Sequence, residues 1–246
     1  MVKIFIDPGH GGKDPGAVGF GLKEKDITLK ISLKIRDILQ KEYSNADVRL
    51  SRTTDVYLSL AQRTNAANGW NADFLLSVHI NATPSGYGYE DWVYEKTTNS
   101  KSIAAQNVIN AEVIKATGWR NRGKKRGNLH MVRESKMASV LTESGFIDNP
   151  NDAKLLKDDT FLDKVARGHS DGIAKAFNLK RKTILPEKEE LPVEDKEKNA
   201  RADKSFQSAQ DFVKASGISD GTYPRRAITR QEVWSMLERM NRILKK

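Results

Sequence analysis

Cysteine is absent from this chain, and no apolar run approaches the length needed to cross a bilayer. Without thiols there is no disulfide framework and no thiolate metal site, so any metal ion must be held by histidine and carboxylate. Histidine is itself scarce, with only His10, His79, His130 and His169 among 246 residues. The first residues lack the basic region, apolar stretch and cleavage site of a secretory leader. They pass directly into Val2-Lys3-Ile4-Phe5-Ile6. Synthesis in the cytoplasm without a signal peptide is therefore expected, and membrane insertion is not. No internal repeat is visible.

Negative charge is in short supply too. Thirty-two Asp and Glu oppose 42 Lys and Arg, a net charge of +10. The excess is local: Arg120, Arg122, Lys124, Lys125, Arg126, Arg133 and Lys136 face a single acid, Glu134, and a second basic cluster runs from Arg225 to Lys246. Such clusters suit an acidic partner such as an anionic wall polymer, or simply a solvated surface. Nucleic acid is not expected, because no ribonucleoprotein, zinc-finger or recognition-helix pattern accompanies the charge.

The chain begins with an apolar strand that stops at Asp7-Pro8-Gly9-His10-Gly11-Gly12, a loop whose glycines let the backbone pass close to a ligand. Asp26 is the expected N-cap of a helix reaching about Tyr43. Ile27, Leu29, Ile31, Leu33 and Ile35 alternate with period two, yet the run is too long for an ordinary strand, and Ile27, Ile31, Ile35, Ile38 and Leu39 share a helical face. Asp47-Val48-Arg49-Leu50 is the parallel partner that such a crossover serves. Ser59 caps a short helix to about Asn68. Phe74 to Ile80 reads as a central buried strand, and Trp92-Val93-Tyr94 as another. A helix follows from Ser100 to Ala116, then a basic loop over Arg120 to Arg126. Leu129 to Val132 and Ala138 to Glu143 are further strands, and a last helix covers about Phe161 to Phe177. Strands alternating with helices predict an α/β fold: a mostly parallel twisted sheet with helices on both faces.

Residues 181–204 are charged and nearly devoid of apolar side chains, which predicts a linker. Apolar pattern returns in 205–246, around the turn Ser219-Asp220-Gly221, and predicts a small helical C-terminal domain that docks or self-associates.

Ligands of open parallel sheets gather beyond the carboxyl ends of the strands. The first strand delivers His10 there, a central strand His79 and another strand Glu143, while Glu24 precedes the first helix at the same edge. Two histidines and a carboxylate with an open fourth position form a catalytic zinc arrangement, and Glu143 can activate the water. His169 reads as structural, His130 as an ordinary surface side chain and Arg63 as half of a buried ion pair. Asn81 either orients the site or caps the strand end.

The segments DPGHGGKDPGAVG, VRLSRTTDVYLSLAQRTNAAN, SVHINA and LTESGFIDN, with Glu24 before the first helix, occur in one order over residues 1–180. In this the chain resembles the zinc-dependent N-acetylmuramoyl-L-alanine amidases of the amidase-3 family, which cut bacterial peptidoglycan. The resemblance implies that His10, Glu24 and His79 ligate Zn2+ and that Glu143 is the catalytic carboxylate. It implies peptidoglycan as the substrate and hydrolysis of the amide between N-acetylmuramic acid and L-alanine. The tail FVKASGISDGTYPRRAITRQEVWSMLERM resembles wall-attachment modules of phage lysins and half of an S-layer-homology repeat, implying an anionic secondary wall polymer as its ligand. A phage or prophage endolysin, made in the host cytoplasm and acting on the wall, is the expectation. An exported autolysin, a zinc peptidase or deacetylase cutting another wall bond, and a non-catalytic wall-binding protein are the alternatives.

Overall fold

The computed structural model describes residues 1–182 together with Asp211 and Ala215. The chain divides into two units, Met1–Thr183 and Ile184–Lys246. The expected linker beyond Lys182 and the expected wall-binding domain over 205–246, with its self-association, lie outside the described residues.

The first unit alternates strand and helix. β1 (Val2–Pro8) leads through a two-stranded hairpin, β2 (Val18–Gly19) and β3 (Leu22–Lys23), into α1 (Glu24–Glu42). β4 (Ala46–Leu50), α2 (Leu60–Gly69), β5 (Phe74–Asn81), β6 (Tyr89–Tyr94) and α3 (Ser100–Thr117) follow. The chain continues with β7 (Asn121–Gly127), α4 (His130–Arg133), β8 (Ala138–Phe146), α5 (Pro150–Lys157) and α6 (Asp159–Ala176). The main sheet has the order β4-β1-β5-β8-β6-β7. The first four strands are mutually parallel; β6 runs antiparallel to β8, and β7 parallel to β6. The expected mostly parallel α/β sheet is what the chain forms.

Side chains alternate across the strands and feed two cores. Ile4, Ile6, Phe74, Leu76 and Val140 pack beneath α1, α3 and α6, whereas Phe5, Leu75 and Leu141 meet Ala67 of α2 and Met131 and Val132 of α4. Burial on both faces explains the near-continuous apolar runs of β1 and β5.

Three local expectations change. The first helix begins at Glu24, and Asp26 lies in its first turn rather than at the cap. The carbonyls of Ala17 and Pro15 accept the leading N–H groups of Glu24 and Lys25 instead, so a folded-back loop does the capping. The basic stretch is strand β7, an edge strand that needs only one hydrogen-bonded neighbour and so can be wholly polar. The expected strand at Leu129–Val132 is the single helical turn α4, because β7 already occupies the edge; adjacent Met131 and Val132 are both buried against α2 and β8.

Beneath β6, Asp91 is fully buried between the sheet and α3. Asn110 Nδ2 donates to its Oδ2 at 2.8 Å, and Gln106 Nε2 donates to its carbonyl at 3.1 Å. Burial pushes the Asp91 carboxyl up to about 7, against the opposing pull of those side-chain donors. An acid raised in the folded state binds its proton more tightly there than in the unfolded chain, so it removes stability as pH rises from about 4 towards 7. Asp91→Asn cannot titrate. Urea unfolding across that range should show the variant gaining on the native chain as pH increases; a pH-independent difference would show that Asp91 does not titrate in this window.

Candidate metal site

His10 sits just beyond β1 in the left-handed region, with φ 60°, followed by Gly11 at φ 134°. A non-glycine residue held there must be secured by its surroundings, and two buried arginines secure it. Arg63, on α2, donates from Nη1 to the Pro8 carbonyl at 2.6 Å and from Nη2 to the His10 carbonyl at 2.6 Å. Arg52, following β4, donates from Nε to the Pro8 carbonyl at 3.1 Å and from Nη2 to the Gly9 carbonyl at 2.9 Å. The charge of Arg63 is met by Asp7, whose Oδ1 lies 2.9 Å from Nη1 and whose oxygens also accept from Ser51 and Ser77. Arg63 is thus half of a buried ion pair, and it also holds the loop that carries His10.

The donors converge above this platform. Glu24 Oε2 lies 3.1 Å from His10 Nε2, and its Oε1 lies 3.0 Å from His79 Nδ1. One ligand atom from each of the three residues falls within 4.8 Å of the others. Glu24 is fastened by the backbone N–H groups of Ala17 at 2.8 Å and Ile80 at 3.0 Å. Burial alone would raise its carboxyl, but the hydrogen bonds and charges of the two imidazoles overcome this and hold it well below the usual range. The imidazoles stand edge to face, with centroids 5.0 Å apart. Gly9 and Gly16 are required by this crowding: a Cβ on Gly9 would collide with the His79 ring, and one on Gly16 would come within 2.6 Å of Glu24 Oε2.

The second nitrogen of His10, Nδ1, is 2.8 Å from Asp14 Oδ2. A carboxylate on Nδ1 accepts the proton of that nitrogen and turns Nε2 towards the cluster, the arrangement that supports a metal-bound histidine. Two nitrogens and a carboxylate oxygen at mutual ligand distance form a donor set that suits zinc.

Glu143 lies beside the cluster. Its register partner on β5 is His79, and its Oε2 is buried without a hydrogen-bond partner among the described residues. Burial, reinforced by the charges of Glu24 and Glu90, raises its carboxyl well above the ordinary value. Glu143 lies within β8 rather than at its end, because the strand continues to Phe146. The structure therefore brings together His10, Glu24, His79 and Glu143, residues with no local spacing to link them. His169 stays apart: it is buried in α6, with Nδ1 at 2.8 Å from the Val165 carbonyl and Nε2 at 3.2 Å from Thr142 Oγ1. His130 is half-buried between α4 and α2, with Nε2 3.3 Å from Thr64 Oγ1. Asn81 donates from Nδ2 to Glu90 Oε1 at 3.0 Å, and its own Oδ1 accepts from the Ala82 backbone. Sequence reasoning missed Asp14 and Arg52. Asp14 sits four residues after His10 in a loop, where no helical spacing drew attention to it, and Arg52 was visible only as one basic residue among many.

Comparison with known proteins supplies the context. A family described as N-acetylmuramoyl-L-alanine amidase matches residues 4–175. The sporulation-specific N-acetylmuramoyl-L-alanine amidase of Bacillus subtilis is 52% identical over 181 residues, 74% of this chain and 70% of that protein. The endolysin of Bacillus phage SPP1 is 46% identical over 201 residues, 79% of this chain and 74% of that protein. Among solved structures, the catalytic domain of the N-acetylmuramoyl-L-alanine amidase CwlV from Bacillus (Paenibacillus) polymyxa superposes with a TM-score of 0.69 at 35% identity. That match covers 73% of this chain and 100% of that one.

Asp7→Ala leaves the Arg63 guanidinium buried without its counter-charge. Breaking a buried pair in this way costs about 3–5 kcal/mol, so the denaturation midpoint should fall steeply. A midpoint unchanged within error would mean that the pair does not hold the loop.

Proposed function

The chain belongs to the N-acetylmuramoyl-L-alanine amidase family and is a peptidoglycan amidase acting between N-acetylmuramic acid and L-alanine; on that premise we propose a zinc-dependent hydrolysis with Glu143 as the proton-transfer group. His10, Glu24 and His79 would hold the ion through Nε2, the carboxylate and Nδ1. When bound, zinc supplies Lewis acidity towards a carbonyl oxygen and towards water. The single observation that carries the reading is the convergence of these three ligand atoms beside Glu143 Oε2, which has no hydrogen-bond partner among the described residues.

The remaining work falls to the chain's own groups. Glu143 Oε2 accepts a proton from the water that attacks the lactyl carbonyl. As the carbon–nitrogen bond breaks, the same carboxyl returns that proton to the departing nitrogen of L-alanine, which leaves as a free amine. An oxygen without a competing partner and with raised proton affinity suits both halves of this exchange. Asp14 keeps the His10 ring in its tautomer, and Arg52 and Arg63 keep its backbone in place. Residues 1–180 form the catalytic domain in this reading. Lysis of the wall is the proposed biological outcome, supported by the similarity to a phage endolysin.

Purified peptidoglycan incubated with the protein should release N-terminal alanine, and a chelator should stop the release. Appearance of acetate, or of a different terminal residue, would move the reaction to another wall bond. Glu143→Gln should retain one zinc per chain by elemental analysis while losing at least about 100-fold in turnover; a zinc-loaded variant with native activity would remove Glu143 from the reaction.

A further inference from the structure

The carboxyl end of the sheet carries a row of ionisable groups. His79 on β5 stands opposite Glu143 on β8, and Glu143 stands opposite Glu90 on β6. Directly opposed residues in neighbouring strands present their side chains on the same face. The Glu90 side chain is 5% exposed, and both of its oxygens are occupied: Oε1 accepts from Asn81 Nδ2 at 3.0 Å, and Oε2 accepts from Arg122 Nε at 2.8 Å. Burying a carboxylate is unfavourable unless it is paired, and here the partner is an arginine beside the reaction site.

Arg122 lies on β7. Its guanidinium is fixed twice, through Nε on Glu90 and by stacking over the Phe146 ring with the carbon 4.7 Å from the centroid. Nη1 and Nη2 have no hydrogen-bond partner among the described residues, on a side chain that is 28% exposed. Two neighbouring cations of β7 are engaged elsewhere: Lys124 Nζ donates to Asn107 Oδ1 at 2.7 Å, and Arg126 Nη1 donates to the carbonyls of Glu95 and Thr97. A guanidinium held at Nε and on one face keeps its outer edge free, and that edge matches a carboxylate through two parallel hydrogen bonds.

The span fits a short peptide. Adjacent strands lie about 4.8 Å apart, which sets β6 about 10 Å from β5, and Arg122 reaches back from β7 to rest its Nε on Glu90 of β6. Two extended residues cover about 7 Å, and an acidic side chain reaches the rest. We propose that Arg122, positioned by Glu90 and Phe146, binds a free carboxylate on the second residue of the stem peptide and so selects stems in which that group is not amidated. The inference rests on the amidase reading of the site.

The test uses two muramoyl tripeptides, both amidated at the C-terminus, whose second residue carries either the free carboxylate or its amide. Release of N-terminal alanine by the full chain should favour the carboxylate form by about ten- to a hundredfold in kcat/KM, the range of a charge-assisted hydrogen-bond pair. Arg122→Gln should bring the carboxylate form down to the level of the amide, with the loss in KM, and Arg122→Lys should restore part of it. Equal losses on both substrates would reduce Arg122 to a structural role, and indifference of the native chain to amidation would overturn the subsite. If the native chain releases alanine from neither peptide nor from whole peptidoglycan, the amidase reading falls with it.

Discussion

The structure depends on how the backbone carbonyls of Pro8, Gly9 and His10 are held. Arg52 and Arg63 reach them from different elements, one after β4 and one on α2, and both arginines are buried. An inward-turned carbonyl left without a partner costs roughly 1–3 kcal/mol, and Thr28 Oγ1 adds a second donor to the Gly9 carbonyl at 2.8 Å. Guanidinium groups satisfy several at once because their donors are splayed in a rigid plane. Asp7 completes the arrangement by balancing one of the two positive charges. His10 can then occupy a backbone conformation that few residues adopt, with its ring directed at Glu24 and His79.

The other donors are placed by simpler means. His79 follows from the register of β5 against β1 and β8, since one residue of slip would turn it to the opposite face. Glu24 is set by the start of α1, whose leading N–H groups are bound by the loop that precedes it. Among the described residues no hydrogen bond holds Glu143 Oε2, so its placement comes from the strand. A rigid sheet edge therefore carries the reactive groups, and the loop is tightened to meet it.

Much of this was legible in the amino-acid sequence. The buried strands around Ile4 and Leu76, the crossover helix through Ile27 to Leu39 and the convergence of His10, Glu24, His79 and Glu143 all follow from apolar pattern and from the rule that ligands gather beyond parallel strands. Ile27, Ile31, Ile35 and Leu39 are the buried stripe of α1, while Leu29 and Leu33, which made the period look like two, are its half-buried flanks. What pattern could not disclose was interaction at a distance. β7 is a strand only because β6 offers it a hydrogen-bonding edge; its own residues, Asn121 to Gly127, contain no apolar side chain. The roles of Asp14, Arg52 and Glu90 arise from partners made adjacent by the fold, and in Glu90 the residue is bound on both sides by elements that sequence reasoning read as a strand end and a loop.

The row His79, Glu143, Glu90 also has a consequence for the order in which the molecule assembles. Two of its members sit on consecutive strands, β5 and β6, but the third is on β8, the last strand of the first unit to be synthesised, which is inserted between them. Until β8 arrives, the sheet is split at its centre: β5 exposes an unpaired edge, and neither Glu24 nor His79 has Glu143 beside it. Non-local insertion of this kind closes large loops before any compensating contact forms and slows folding accordingly. The reactive constellation is therefore an all-or-none property of the finished sheet, and a nascent chain is chemically silent until its final central strand has gone in.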